Sequence, residues 1–275
     1  MKTIVCAIDY SPNAIAALKY ADKLCSKIKS KLYILNVCDA FSLKASSKKE
    51  LKEEQISKLK DFCIKHLGKT PCSKNIEIEV IEDTSIIHGI ISKVNKVKAS
   101  LILTGLKGKS KFKSFLIGST TKELISTAPC PILAIPKKQT LKQLNTIVYA
   151  TAFEKEDIYA IIELSKIAAI YNTEIKVIHI SLPTEKDSML QMQWLKDKLL
   201  EKISYRKINF NLYNSNDTAY FLKLYLKEIK ADMVAMLERN KDKNLLTKLF
   251  HNDLVIEMEI FGEVPLISFN DKYFN

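Results

Sequence analysis

Lys2-Thr3-Ile4-Val5-Cys6-Ala7-Ile8-Asp9, followed at once by Tyr10-Ser11-Pro12-Asn13, decides the fold of this chain. Lys2 to Asp9 reads as a buried strand, apolar from Thr3 to Ile8 and with Asp9 at its carboxyl tip. Ser11 then suits a helix N-cap, with Pro12 at the first helical position. From Pro12 to Lys29 the apolar residues Ile15, Leu18, Ala21, Leu24 and Ile28 keep helical spacing. A strand that feeds a helix through so short a turn opens a βαβ unit.

The alternation continues outward. Lys31 to Cys38 reads as a strand and Lys48 to Leu67 as a charged amphipathic helix. Asn75 to Glu82 alternates apolar and polar residues, as a half-exposed strand does. Thr84 to Lys96 reads as a helix, Ser100 to Thr104 as a strand, Gly118 to Ser126 as a helix and Pro131 to Ile135 as a last strand. Strict alternation implies a parallel sheet covered on both faces, because each right-handed crossover lays a helix on the sheet.

The pattern then begins again. Thr3-Ile4-Val5-Cys6-Ala7 recurs as Thr146-Ile147-Val148-Tyr149-Ala150, and at the same offset Ala17 meets Ala160 and Val37 meets Ile180. Strands are expected at Glu174 to Ile180, Asn209 to Tyr213, Asp232 to Leu237 and Pro265 to Phe269. Helices are expected near Ser188 to Lys202, Thr218 to Ile229 and Asp253 to Phe261. Pro131-Ile132-Leu133 and Pro265-Leu266-Ile267 close their halves alike. The expectation is two tandem, doubly wound, Rossmann-like α/β domains with parallel five-stranded sheets, over residues 1–137 and 145–275, joined near Lys137 to Asn145.

Composition narrows the function classes. Of 275 residues, 47% are hydrophobic and 27% charged, the balance of a globular chain rather than a disordered one. The longest apolar runs are strand-sized, so no membrane span is expected. Met1-Lys2-Thr3 leads straight into a strand without the apolar core of a signal peptide, which points to the cytoplasm. Cys6, Cys25, Cys38, Cys63, Cys72 and Cys130 contain no CxxC pair, so zinc and redox motifs are unsupported and reduced thiols are expected. Cys6 and Cys38 fall in strands read as buried. The formal net charge of +12 invites nucleic acid, but the lysines are spread along many helices with few aromatics among them, which reads as solvated faces.

The candidate site lies where glycine concentrates. Only six glycines occur in the chain, and three are Gly105, Gly108 and Gly118. The first follows the strand ending at Thr104, and the last opens a helix. In open α/β sheets ligands bind beyond the carboxyl ends of the strands, at the switch point. Glycine there permits sharp turns and close approach. The free amides of a helix N-terminus, presented by Gly118, Ser119 and Thr120, attract anions. Lys107, Lys109, Lys111 and Lys113 make the loop basic, so phosphate is the natural occupant. Local chemistry alone also allows that Gly105 and Gly108 only shape a turn and that Gly118-Ser119 only caps a helix.

Gly105-Leu106-Lys107-Gly108 through Ile117-Gly118-Ser119 forms the pattern G-2x-G-9x-G-(S/T). With Ala7-Ile8-Asp9 and Ala128-Pro129-Cys130-Pro131-Ile132, the sequence resembles the universal stress protein family, in a tandem form covering both halves. The resemblance implies an adenine nucleotide alpha hydrolase-like fold and ATP binding, with magnesium as the cation that would accompany the phosphates. It implies that Asp9 meets the ribose or the adenine amino group and that the backbone of Val37 meets the adenine edge. Ala7 and Thr104 would line the base pocket, and Gly105, Gly108, Gly118, Ser119 and Thr120 would hold the phosphates. Asp9 could alternatively serve only a turn or a helix cap. Family members commonly pair through their last strands, which the two halves could satisfy within one chain, with a homodimer also open.

The second half departs from the pattern. Ala152 takes the place of Asp9, Glu238-Arg239-Asn240-Lys241 follows the strand without a glycine, and His251-Asn252 stands where Gly118-Ser119 stood. No nucleotide is expected there. His66, His88, His179 and His251 show no metal spacing, and neither a GxSxG elbow nor a Walker A loop occurs. No base and nucleophile pair is visible, so the expectation is a nucleotide-dependent regulatory protein read by a protein partner. The alternatives are slow ATP hydrolysis and a nucleotide-independent interaction module.

Overall fold

The computed structural model describes residues 2–39, 48–68, 75–106, 117–141, 143–238, 264–270 and 273–274. They form two compact units that divide after Leu141. The first contains β1 (Thr3–Ala7), α1 (Pro12–Ile28), β2 (Lys31–Asp39), α2 (Lys48–Leu67) and β3 (Ile76–Asp83). It continues with α3 (Ile86–Val97), β4 (Leu101–Gly105), α4 (Ser119–Thr127) and β5 (Ile132–Ile135). Its strands lie in the order β3-β2-β1-β4-β5, each pair parallel. The order reverses at β1, so the carboxyl ends of β1 and β4 flank a switch point.

β1 holds the middle of this sheet, which explains its continuous apolar run: Ile4, Val5 and Cys6 are almost wholly buried. α1 packs on the sheet through small residues, with Ala14, Ala17, Leu18 and Ala21 buried. Its start is fixed as the sequence predicts, since Ser11 Oγ accepts the amide of Ala14 at 3.1 Å and Pro12 follows. α2 is charged along most of its surface and buries Leu59 and Cys63. Cys38 differs from expectation: it is only half-buried, because β2 runs past the end of β1 and loses cover on that side.

The second unit contains β6 (Thr146–Ala150), α5 (Lys155–Tyr171), β7 (Glu174–Ser181) and α6 (Ser188–Leu200). It continues with β8 (Ile208–Asn214), α7 (Thr218–Glu228), β9 (Met233–Glu238) and β10 (Leu266–Asn270). Its strand order is β8-β7-β6-β9-β10, again with parallel pairs. α5 lacks a local start signal in the sequence, because it opens on Glu154 rather than on a serine, threonine or aspartate. Glu154 instead forms a reciprocal capping box with Asp157. The helix expected near Asp253 to Phe261 lies outside the described residues. Among those described, no helix is long and apolar enough to cross a membrane.

Candidate functional site: a pocket at the switch point of the first unit

Asp9 lies two residues beyond the end of β1, which stops at Ala7 rather than at the aspartate itself. Tyr10 follows with a left-handed backbone (φ 61°), and the chain turns into α1. Asp9 Oδ1 accepts the amide of Ser11 at 2.9 Å, so this carboxylate does serve the turn. The side chain is nevertheless exposed. Asp9 also borders the space beyond the strand ends.

β2 continues past β1 on the neighbouring side. The amide of Ile8 donates to Leu35 O at 2.8 Å, and Asn36 Nδ2 donates to Ile8 O at 2.7 Å. Backbone groups alternate in direction along a strand, so Val37 points the same way as Leu35, toward the side where β1 has ended. Its N–H and C=O therefore face the opening rather than a strand.

Gly105 is the last residue of β4, not the start of a loop. A Cβ there would lie 2.7 Å from Asn13 Cβ, 2.8 Å from Asn13 C and 2.9 Å from Ala14 N. Its glycine is required by the close approach of β4 to the first turn of α1. Of the two uses of glycine read there, a sharp turn and a close approach, Gly105 serves the close approach. Gly105 O accepts the hydroxyl of Thr121 at 3.0 Å, and the amide of Gly118 donates to Leu106 O at 2.9 Å. These two bonds hold the start of α4 against the end of β4.

α4 begins at Ser119, with Gly118 as its N-cap in an extended conformation (φ −60°, ψ 150°) and no side chain capping it. The leading amides of Ser119, Thr120 and Thr121 thus lack a capping side chain and carry the positive end of the helix dipole. Gly108 and the loop lysines Lys107, Lys109, Lys111 and Lys113 lie outside the described residues.

Together these ends enclose a pocket of about 350 Å³, within the size range of small-molecule sites. Ala7, Asp9, Val37, Thr104, Gly105, Gly118, Ser119 and Thr120 all line it. The sequence did not single out Asn36, Thr121, Ile86 or Ile90, which line it as well. The two isoleucines stand one turn apart on α3 and give the pocket its apolar helix side. Their spacing was visible as helical periodicity, but nothing in it says which face meets a ligand. Asp9 is the only ionisable side chain among the described lining residues.

The second unit builds the corresponding turn differently. Phe153 repeats the left-handed backbone (φ 64°), but Ala152 carries no carboxylate. A buried carboxylate appears instead inside the unit. Asp157 accepts Tyr149 Oη at 2.6 Å, Thr151 Oγ1 at 2.7 Å and the amide of Glu154 at 2.9 Å. Burial pushes its carboxyl up to about 6, against the lowering effect of these donors. His179 in β7 bonds the same Thr151, with Nδ1 donating to Thr151 O at 2.8 Å and Nε2 2.9 Å from Glu185 Oε1. Glu238 is part of β9 and buried, rather than in the loop that follows. Arg239, Asn240, Lys241, His251 and Asn252 lie outside the described residues.

A doubly wound parallel α/β domain with a pocket beyond its strand ends, bordered by a helix N-terminus, belongs to the Rossmann-like class of folds. Within that class, residues 1–136 match the model of the Universal stress protein family, and the chain belongs to this family through that half. A universal stress protein of Methanocaldococcus jannaschii is 28% identical over 145 residues, covering 50% of this chain and 85% of that protein. An uncharacterized protein of Schizosaccharomyces pombe is 28% identical over 140 residues, which span 50% of this chain and only 23% of its own length. Among solved structures, a universal stress protein from Archaeoglobus fulgidus superposes with a TM-score of 0.68 at 17% identity, covering 98% of each chain. A protein of unknown function from Pseudomonas aeruginosa does so at 0.60 and 13%, covering 98% of this chain and 92% of its own. These two superpositions bear on the fold alone.

Proposed function

We propose that the first unit binds ATP in the switch-point pocket and that the chain acts as a nucleotide-dependent regulatory protein of the stress-response type. One observation carries this reading. The pocket joins an apolar wall, an outward-facing strand backbone, an exposed carboxylate and an uncapped helix N-terminus, in an order that matches base, ribose and phosphates. Ile86 and Ile90 would cover the base and the Val37 backbone would pair with its edge. The free oxygen of Asp9 would accept a ribose hydroxyl. The amides of Ser119, Thr120 and Thr121 would hold phosphate oxygens. Magnesium, when present, would neutralise phosphate charge while keeping most of its waters.

Binding rather than turnover is favoured because the described lining offers one carboxylate and no base paired with a nucleophile. The five described cysteines are free thiols, which accords with a reducing compartment such as the cytoplasm. A protein partner would read the nucleotide-bound form.

Calorimetric titration of nucleotide-free protein with ATP and magnesium tests the reading, beside Gly118→Val. One ATP per chain is expected. The substitution should weaken binding by about 100-fold or more, since a branched side chain at the N-cap crowds the amides that meet the phosphates. No saturable binding by the unaltered chain would overturn the proposal and favour an interaction module.

A further inference from the structure

We propose that Gly89 is a positioning residue that sets the width of the base pocket by letting α3 close onto Val37. The inference rests on the adenine-nucleotide reading above and names what governs affinity at that site.

Gly89 stands inside α3, where glycine disfavours the helix by about 1 kcal/mol relative to alanine. Its backbone is helical, so no left-handed conformation demands it. Its surroundings do. A Cβ at this position would lie 2.8 Å from Val37 Cγ1, 3.1 Å from Val37 Cγ2 and 3.2 Å from Asp83 Cβ. Val37 is β-branched, and both of its methyls face the glycine, so turning χ1 only exchanges one collision for another.

The helix cannot slide to relieve the contact either. Asp83, at the end of β3, accepts the amide of Ser85 at 3.0 Å and pairs with His88 Nδ1 at 2.6 Å. Ser85 Oγ in turn accepts the amide of His88 at 3.3 Å. The first turn of α3 is thereby tied to the sheet edge. A side chain at Gly89 must lift the helix away from β2, and it carries Ile86 and Ile90 with it. Those two residues line the pocket together with Val37. Helix propensity is thus given up at the one position where it would hold the walls apart.

The test compares ATP titrations of the unaltered chain, Gly89→Ala, Val37→Ala and the double variant, with thermal melts alongside. Gly89→Ala should weaken ATP binding about tenfold in the natural background and no more than about twofold when Val37 is alanine, as expected for residues in direct contact. On propensity alone the alanine would raise the melting temperature; here it should not. Unchanged ATP affinity in Gly89→Ala overturns the proposal, and so does equal weakening in both backgrounds. If Gly89→Ala fails to fold, the double variant decides: binding at the Val37→Ala level supports the proposal, and failure to fold or bind overturns it. Failure of the unaltered chain to bind ATP is a different result, which removes the nucleotide reading itself.

Discussion

The turns after β1 and β6 share a backbone and differ in what they offer. Tyr10 and Phe153 hold the same left-handed corner. Asn36 and His179 make the same cross-strand bond, to Ile8 O and Thr151 O respectively. In the first unit the carboxylate of Asp9 stands exposed at the strand tip. In the second the carboxylate has moved to Asp157, buried and saturated by Tyr149, Thr151 and Glu154. The frame that shapes the candidate pocket is therefore separable from the groups that line it. One turn is open to solvent chemistry, and the other has turned its polar groups inward to hold the fold.

The largest effect that would sharpen this contrast is a fall of stability with rising pH that comes from the second unit. Asp157 has a folded pKa of about 6 against an ordinary value of 3.8. The native state therefore binds the proton more tightly than the unfolded state between these values, and stability falls as pH rises through that window. At about 1.4 kcal/mol for each pH unit between the two values, the loss is ~3 kcal/mol. Urea unfolding of the unaltered chain and of Asp157→Asn from pH 4 to 7 should show this slope only in the former. Equal slopes would mean the buried carboxylate is not the distinction between the units.

Gly105→Ala probes the other side of the comparison. Its Cβ would meet backbone atoms of Asn13 and Ala14, so a loss of about 2 kcal/mol is expected from overpacking. Denaturation that leaves the midpoint unmoved would show that β4 and α1 are not in close contact at the site. The smallest effect is at the caps. Ser11→Ala should cost about 1 kcal/mol through the lost bond to Ala14 N. Glu154→Ala should cost a similar amount by opening the box with Asp157, and a much larger loss there would mean that Glu154 also supports the buried network.

Much of this architecture was legible in the sequence because its signals are local. Ser11-Pro12 fixed the start of α1, and α2 has the expected bounds Lys48–Leu67. Strand ends shifted by a residue or two, because hydrogen-bond partners rather than side-chain pattern decide where a strand stops. α3 begins at Ile86 rather than near Thr84, since Ser85 takes the N-cap. The site was half legible. Asp9, Gly105 and Gly118 declare themselves by residue type, whereas Ile86, Ile90 and Asn36 become site residues only when separate elements meet. At Gly105 the close approach that glycine permits is made to α1 as well as beside the pocket. Its neighbour across the contact, Asn13, is distant in sequence and carries no motif.

The chain's scarcity of glycine has a consequence for protein engineering. Lys29, Lys98, Asn172 and Lys230 all hold positive φ where α1, α3, α5 and α7 end. Each L side chain there endures a geometry costing about 1 kcal/mol that glycine would escape. Heat tolerance could thus be raised at four surface corners without adding a single contact, leaving the chemistry at the strand tips as it was.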